Sequence, residues 1–435
     1  MRFHNQILLA LILGALVGAF TSPDTMLLGM PLLAIHDTVA TLFVNALKMI
    51  VVPLITSALI AAMINIGGGR DLGRLGIKTL LWYLVTTTFA VLTALVLFNL
   101  LKPGVINGEA AGDRLGLASQ TDAVVAGMAE RGAGDFAGII LQIFPPNIIQ
   151  AGAEGQLLGL IVFSILFGMF LRVQQGEAAE TLKKLIIGFY DTMVAITLFI
   201  IRFAPLGVYA LIARTVTQTG YDAVEPLAWF FFSVLLALAI HGFVVLPILI
   251  RVLAKRSPAR HIQAMTPALL TAFSSASSSA TLPLTMECVE QRAGVSKRTA
   301  SFVLPLGATV NMDGTALYEC AAVLFIAQAY GVDLSLASQA LIVIVAILTS
   351  IGVAGIPSAS LVAITLILTT VGLPAEAIGL ILATDRLLDM ARTAVNIWGD
   401  SVGAVIIGRS EGEEGILDVP VAEMEQRHRD AGRRG

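Results

Sequence analysis

Near its end the chain reads DRLLDMARTAVNIWGD (Asp385–Asp400), a charged stretch inside an otherwise apolar sequence. At ~100° per residue, Asp385, Asp389, Arg392, Asn396 and Asp400 fall within an arc of roughly 80°. Leu387, Leu388, Met390, Ala394, Val395, Ile397 and Trp398 fill the rest of the circumference. A charge at bilayer depth costs about 2.5–3.5 kcal/mol even on a lenient scale, so the stripe costs on the order of 10 kcal/mol unless it faces protein, water, ions or substrate. A neutral Asp–Arg–Asp packing seam needs one partner per charge, and three carboxylates against Arg392 leave negative charge over. Cations are the simplest compensation. The stretch therefore suits a cation together with a ligand carrying charges of its own.

A second constellation is Asn311-Met312-Asp313-Gly314-Thr315. Asn, Asp and Thr supply hard oxygen ligands of the kind sodium takes. Gly314 lets the backbone unwind and turn carbonyls inward. A kinked helix with a satisfied Asn–Asp pair is the plainer alternative for the same residues.

The elements that must position these groups follow from hydropathy. Of 435 residues 57% are hydrophobic and 13% charged, with mean hydropathy +0.86. Soluble domains carry about 25% charged residues, so the fold class is an all-α polytopic membrane protein. Apolar runs long enough for a ~30 Å core lie at 6–21, 35–66, 76–101, 156–173, 185–212, 224–252, 299–330 and 374–408. The first lacks a convincing cleavage site and is followed at once by further spans, so it reads as a membrane helix. Its Gly14 and Gly18 form a GxxxG pair, which suggests close helix packing. Cys288 and Cys320 indicate neither a disulfide framework nor a metal cluster. No P-loop motif appears, and no soluble domain is available for nucleotide or nucleic acid.

Basic clusters at Arg2, Arg70–Lys78, Arg172–Lys184 and Arg251–Arg260 alternate with an acidic-leaning stretch at 102–135 and with Asp222 and Glu225. This alternation puts both termini in the cytoplasm and makes 102–135 an external loop. The mixed-charge tail 409–435 reads as a frayed cytoplasmic extension. Two apolar stretches do not read as simple spans. The first, 262–287, has basic flanks on both sides and a middle of SSASSSATLP (Ser274–Pro283). The second, 336–371, is broken at TSIGVAGIPSAS (Thr349–Ser360). Irregular backbone at membrane depth is tolerated only beside protein or a cavity, so both read as re-entrant hairpins. Each precedes a polar span, and the pair enter from opposite sides. That is the inverted repeat of a secondary transporter with a midplane site.

LPLGATVNMDGTALY (Leu304–Tyr318), the SSS tip, SIGVAGIP and D-x3-D-x2-RT-x2-N-x3-D together resemble the dicarboxylate/amino-acid:cation symporter family. Archaeal sodium–aspartate transporters and mammalian excitatory amino-acid transporters belong to it. The resemblance spans essentially the whole chain. It implies a homotrimer of the glutamate-transporter-like elevator fold, each protomer with eight membrane helices and two re-entrant hairpins, in a plasma or inner cell membrane. A trimerisation scaffold (1–75 and 136–217) would hold a mobile transport domain (76–101 and 222–408).

The same resemblance implies roles for individual residues. Arg392 would hold the substrate's side-chain carboxylate in a bidentate pair, and Asp389 its ammonium. Asn396 and backbone N–H groups at Ser277, Ser278 and Ser279 would hold the α-carboxylate, with Thr315, Ile356 and Thr393 lining the pocket. One sodium would sit on Asp400 with carbonyls of Gly307, Asn311 and Asn396. Another would take Thr309 and carbonyls of Ser350, Ile351 and Val353. A third would use Tyr83, Thr86 and Thr87 with Asn311 and Asp313. Sodium would be the co-transported ion, with no organic cofactor. Glu319 follows Tyr318 where mammalian members have a glutamate linked to proton coupling, which makes it a candidate proton carrier.

The chain departs from the family's two arginine placements, having Ala276 at one and Met390 at the other. Arg386, one turn before Met390, either substitutes for them or pairs with Asp385 as a structural charge. His241, alone in an apolar run, reads as a hydrogen-bonded packing histidine rather than a proton relay, and Glu287 and Glu290 as cytoplasmic-edge charges. The function expected is uptake of L-aspartate or L-glutamate coupled to sodium, with proton coupling or C4-dicarboxylate uptake as alternatives. A substrate lacking an amine would leave Asp389 uncompensated, and a neutral one would leave Arg392 so. An intramembrane protease is disfavoured, because no His or Lys matches the depth of the serine cluster, so the chain is not expected to be an enzyme.

Overall fold

The computed structural model describes residues 3–27, 29–65, 70–117, 144–153, 157–351, 360–424 and 426. Among these, helices carry the fold, and the strands form two short hairpins. β1 (Met26–Leu27) pairs with β2 (Met30–Pro31), and β3 (Val105–Ile106) with β4 (Glu109–Ala110). The second hairpin opens the stretch expected as an external loop, whose part from 118 to 135 lies outside the described residues.

One group of helices consists of α1 (Phe3–Phe20), α2 (Leu32–Asn65), α4 (Leu157–Val173), α5 (Glu177–Ile201) and α6 (Ala204–Thr219), with α3 (Arg70–Leu101) packing elsewhere. α1 lies along α6, and α2 packs on α4, α5 and α6. The GxxxG pair makes the first of these contacts possible. A methyl on Gly14 would come 2.7 Å from the Tyr209 carbonyl oxygen, and one on Gly18 would come 2.7 Å from Val216 Cβ. The run 185–212, expected as one span, is α5 and α6, broken at Arg202 and Phe203. Pro205 has no N–H to carry α5 onward, yet it fits the first turn of a new helix.

The other group is built around α11 (Asp313–Ala329), which is wrapped by α3, α7 (Val224–Ala254), α12 (Leu336–Ser350), α13 (Ser360–Val371) and α14 (Leu382–Ser410). Between α7 and α11 come α8 (Pro258–Ser275), α9 (Ser278–Glu287) and α10 (Lys297–Val310). α8 and α9 form a helical hairpin whose tip is Ala276 and Ser277, with Ala276 in the left-handed region at φ 50°. α12 and α13 pack as the arms of a second hairpin, whose tip falls at 352–359, outside the described residues. The serines that open these helices are N-caps. Ser277 Oγ accepts from Ala280 N–H at 3.2 Å, Ser296 Oγ from Thr299 N–H at 3.2 Å and Ser335 Oγ from Ser338 N–H at 3.1 Å.

By length and composition, 5 described stretches could cross a membrane: Leu32–Ile64, Arg74–Leu101, Glu177–Ile201, Val224–Ala254 and Lys297–Ala329. α14 is long enough but is polar through its middle. The run expected at 299–330 is interrupted at Asn311 and Met312, as the NMDGT motif suggested. The tail is a correction. Its first part does not fray but packs back on the protein, burying Ile416, Leu417 and Met424, because three apolar side chains have a surface to cover.

Candidate functional site

The unwound pair Asn311–Met312 lies against the polar face of α14. Asn311 (φ −105°, ψ 84°) and Met312 (φ −112°, ψ 62°) leave the helical region and aim polar groups at their neighbours. Asn311 Nδ2 donates to Asp400 Oδ1 at 2.9 Å, and Thr86 Oγ1 donates to Asn311 Oδ1 at 3.1 Å. Thr87 Oγ1 donates to Asp313 Oδ1 at 2.9 Å. Three glycines make the approach possible. A methyl on Gly399 would fall 2.5 Å from Asp313 Oδ2, and one on Gly314 would fall 2.5 Å from the Arg392 carbonyl oxygen. A methyl on Gly307 would collide with the Asp400 carboxylate.

Asn396 ties α14 to the first turn of α11. Its Oδ1 accepts from Gly314 N–H at 2.8 Å and Thr315 N–H at 3.3 Å, and its Nδ2 donates to Thr315 Oγ1 at 3.1 Å. Those N–H groups are orphans of a helix start, so an amide oxygen there replaces water.

One turn further along, Arg392 is 1% exposed. Its Nη2 donates to Asp389 Oδ1 at 2.8 Å and Asp385 Oδ1 at 3.1 Å, and its Nη1 donates to Ser360 Oγ at 2.6 Å. The guanidinium also stands 4.0 Å over the Tyr318 ring, a cation–π contact. Arg386 Nη1 lies 3.5 Å from Asp389 Oδ2. The charges of α14 thus divide into a balanced part, Asp385 and Asp389 against Arg386 and Arg392, and an unbalanced part. Among the described residues, no lysine or arginine lies within ion-pair distance of Asp313 or Asp400, both buried. A pair of buried carboxylates without a lysine or arginine beside them is costly and offers oxygens to a hard cation.

Other predicted residues are less tightly gathered. Tyr83 is buried beside Gly307, but its hydroxyl donates to the Val303 carbonyl at 2.6 Å rather than to Asn311 or Asp313. Thr309 Oγ1 donates to the Leu306 carbonyl at 3.0 Å and Ser350 Oγ to the Ile347 carbonyl at 2.8 Å, so each hydroxyl bonds back into its own helix. Ile351 is partly buried beside them in the apolar core, while Val353 and Ile356 lie outside the described residues. Ser278 and Thr393 are buried, Ser277 is half-buried as the cap of α9, and Ser279 is exposed. Glu319 is buried and its Oε2 accepts from Thr349 Oγ1 at 2.7 Å.

His241 is a buried, hydrogen-bonded histidine as its sequence context suggests, but its partner was not legible there. Its Nε2 lies 3.3 Å from Asp313 Oδ2. It sits in a π-turn, His241–Val245, where Leu246 N–H bonds to the His241 carbonyl. The next donor in that register would be Pro247, which has none. The Gly242 carbonyl is thereby left for Trp398 Nε1, which donates to it at 2.8 Å. Nothing in the run around His241 signals a polar neighbour, because the partner comes from a helix 72 residues on. Ser360, which the sequence shows only as the end of the break at Thr349–Ser360, is one of Arg392's closest partners.

A helical membrane protein with paired helical hairpins around a buried, partly unbalanced charge cluster belongs to the class of secondary carriers. The sodium:dicarboxylate symporter family model matches residues 3–410, and the chain belongs to that family. It is 35% identical over 409 residues to the proton/glutamate-aspartate symporter of Escherichia coli (strain K12), covering 93% of this chain and 92% of that protein. It is 35% identical over 411 residues to the proton/sodium-glutamate symport protein of Bacillus subtilis (strain 168), covering 94% and 92%. It is 33% identical over 423 residues to excitatory amino acid transporter 3 of Oryctolagus cuniculus, covering 86% and 79%.

Proposed function

We propose that the chain is a symporter that takes up L-aspartate or L-glutamate, driven by sodium. The carrying observation is the division of charge on α14. Asp389 and Arg392 can exchange their mutual pair for a ligand's ammonium and carboxylate, and the Asp313–Asp400 pair calls for a cation. Asn396 lies between the two and links them through Thr315. On this reading the substrate's side-chain carboxylate takes the Arg392 fork, its α-carboxylate the Asn396 amide and the start of α9, and its amine Asp389. Sodium ions take Asp400 and Asn311, then Asp313, Thr86 and Thr87, then Thr309 with the second hairpin.

The names of the relatives support an acidic amino acid and leave sodium and protons both in play. Proton coupling through Glu319 is the second reading, favoured by its complete burial next to the hairpin arm. The same reading makes the chain a protomer of a homotrimer in a cell membrane, with α1, α2 and α4–α6 as scaffold and α3 and α7–α14 as a sliding transport domain; the two helix groups match that division. Uptake of labelled aspartate into proteoliposomes tests the whole reading. Accumulation should follow an inward sodium gradient at equal pH, and its absence there would refute sodium coupling.

A further inference from the structure

We propose that residues Glu411–Met424 form a strap that holds the base of the first helical hairpin shut, with Glu413 as its positioning residue. The inference goes beyond the proposed function and does not depend on which substrate or ion is carried.

The strap begins where α14 ends, at Ser410. Gly412 (φ 88°) and Gly415 (φ 85°) take left-handed turns that fold the chain back. Glu413 then caps the start of α10. Its Oε2 accepts from Ser296 N–H at 2.8 Å, and its Oε1 accepts from Ser296 Oγ and Thr299 Oγ1, each at 2.5 Å. Arg409 Nη1 donates to the Glu413 carbonyl at 2.7 Å, which fixes the turn that presents the carboxylate.

Both arms of the hairpin are then tied to the same strap. On the entering side, Arg260 Nη1 donates to the carbonyls of Leu417 at 3.0 Å and Asp418 at 2.6 Å, and Arg256 Nη1 pairs with Asp418 Oδ1 at 2.8 Å. On the leaving side, Leu417 N–H donates to the Ala293 carbonyl at 2.9 Å, and Ala293 N–H donates in turn to the Cys288 carbonyl at 3.0 Å. Met424 packs on Gly294, where an added methyl would come 2.8 Å from Met424 Cε. Between the arms, Arg292 Nε donates to the Ala264 carbonyl at 2.8 Å. Glu411 extends the strap to α3 through Lys78 at 2.5 Å and Arg74 at 2.6 Å. A tail that only frayed would need none of this. A leucine at φ 54°, as Leu417 is, adopts a backbone region that side chains avoid unless contacts hold it there. The hairpin arms cannot splay without breaking the strap, so the strap decides whether the tip at Ala276–Ser277 opens from its base.

The chain carries its own reporters, since Cys288 lies in the leaving arm and Cys320 in α11, both buried. The full chain in lipid vesicles is treated with N-ethylmaleimide, and each cysteine's labelling is followed by peptide mass spectrometry. Glu413→Ala should raise Cys288 labelling about tenfold by favouring local opening, while Cys320 stays unlabelled. Glu413→Gln keeps one acceptor oxygen and should return most of the protection. Arg260→Ala, which frees the strap from the other arm, should expose Cys288 in the same way and serves if Glu413→Ala does not fold. Cys288 as slow in both variants as in the parent would overturn the proposal. So would Cys288 and Cys320 gaining reactivity together, since that is general loosening rather than opening of the hairpin base.

Discussion

Arg392 Nη2 donates to Asp389 Oδ1 at 2.8 Å across one turn of the same helix. Both groups are buried, so each holds the other's charge, and a ligand that separates them must replace both halves of the pair. An acidic amino acid does this with one ammonium and one carboxylate. A dicarboxylate replaces only one half, which leaves Asp389 facing an anion.

Arg392→Cys should therefore abolish binding of aspartate, at a cost of about 3–5 kcal/mol, the usual consequence of breaking a buried charge pair. Arg392→Lys should recover little, since an ammonium lacks the fork that meets a carboxylate twice. Isothermal calorimetry checks this, and aspartate affinity in Arg392→Cys equal to the parent's would sink the assignment.

The Asp313–Asp400 pair predicts a different phenotype. Asp400→Asn removes one negative charge from the unbalanced cluster without changing its shape. It should raise the sodium concentration for half-maximal uptake at least tenfold, about 1.4 kcal/mol, with a smaller effect for Thr87→Ala. Sodium titration of initial uptake rates separates these sites from Arg392. A half-saturation unmoved in Asp400→Asn would show that this carboxylate holds no transported sodium.

Gly314 tests the packing that brings the site together. A methyl there meets the Arg392 backbone, which belongs to a rigid helix and cannot give way as a side-chain tip could. Gly314→Ala should cost about 1–3 kcal/mol by overpacking, visible as a lower Tm in detergent. An unchanged Tm would mean that the two helices approach less closely than described.

The sequence made the polar faces legible because a helix converts spacing into direction: Asp385, Asp389, Arg392, Asn396 and Asp400 are all buried along one side of α14. It also located the break at Asn311, since residues such as Asn, Asp and Gly in an apolar run have few other uses. What it could not show was which helix faces which. His241 reaches Asp313, Ser360 reaches Arg392 and Arg386 turns toward Asp389, and each depends on tertiary packing that periodicity does not encode. The tail misled for a related reason. Glu413 and Asp418 look solvated by composition, but they and the Leu417 backbone bind groups far away in sequence, at Ser296, Arg256 and Ala293.

Glu411 gives the strap a pH dependence. Hydrogen bonds from Lys78 and Arg74 hold its carboxyl below the ordinary value of 4.5. A group whose folded pKa is depressed adds stability above its unfolded pKa and loses it as pH falls through the folded value. The Glu411 contribution should be constant from neutrality down to about pH 5 and fade below that. Glu411→Gln should thus lower the Tm at neutral pH but match the parent in strong acid. A difference that grew on acidification would have the wrong sign for this pairing.

Coupling to ions is the prediction with the most consequence. Glu319 sits on α11 with Thr349 Oγ1 donating to its Oε2, while its Oε1 has no hydrogen-bond partner among the described residues. Thr349 belongs to the arm that leads into the second hairpin's tip, so the Glu319 bond joins the core of the site to that arm. If sodium alone drives uptake, Glu319 is a fixed hydrogen-bond partner, and Glu319→Gln, which keeps an acceptor for Thr349, retains sodium-driven accumulation. If Glu319 carries a proton, the same variant loses any accumulation driven by pH. The energetic stakes are calculable, since each positive charge moved inward adds about 2.3 kcal/mol per 100 mV. The sodium-type oxygens at Asp400, Asp313 and Thr87 lead us to expect sodium dependence without an obligatory proton. Proteoliposomes with clamped voltage, loaded to give either a sodium or a proton gradient, decide the matter. Accumulation of aspartate from a proton gradient in sodium-free buffer, lost in Glu319→Gln, would reverse that expectation and name Glu319 as the carrier.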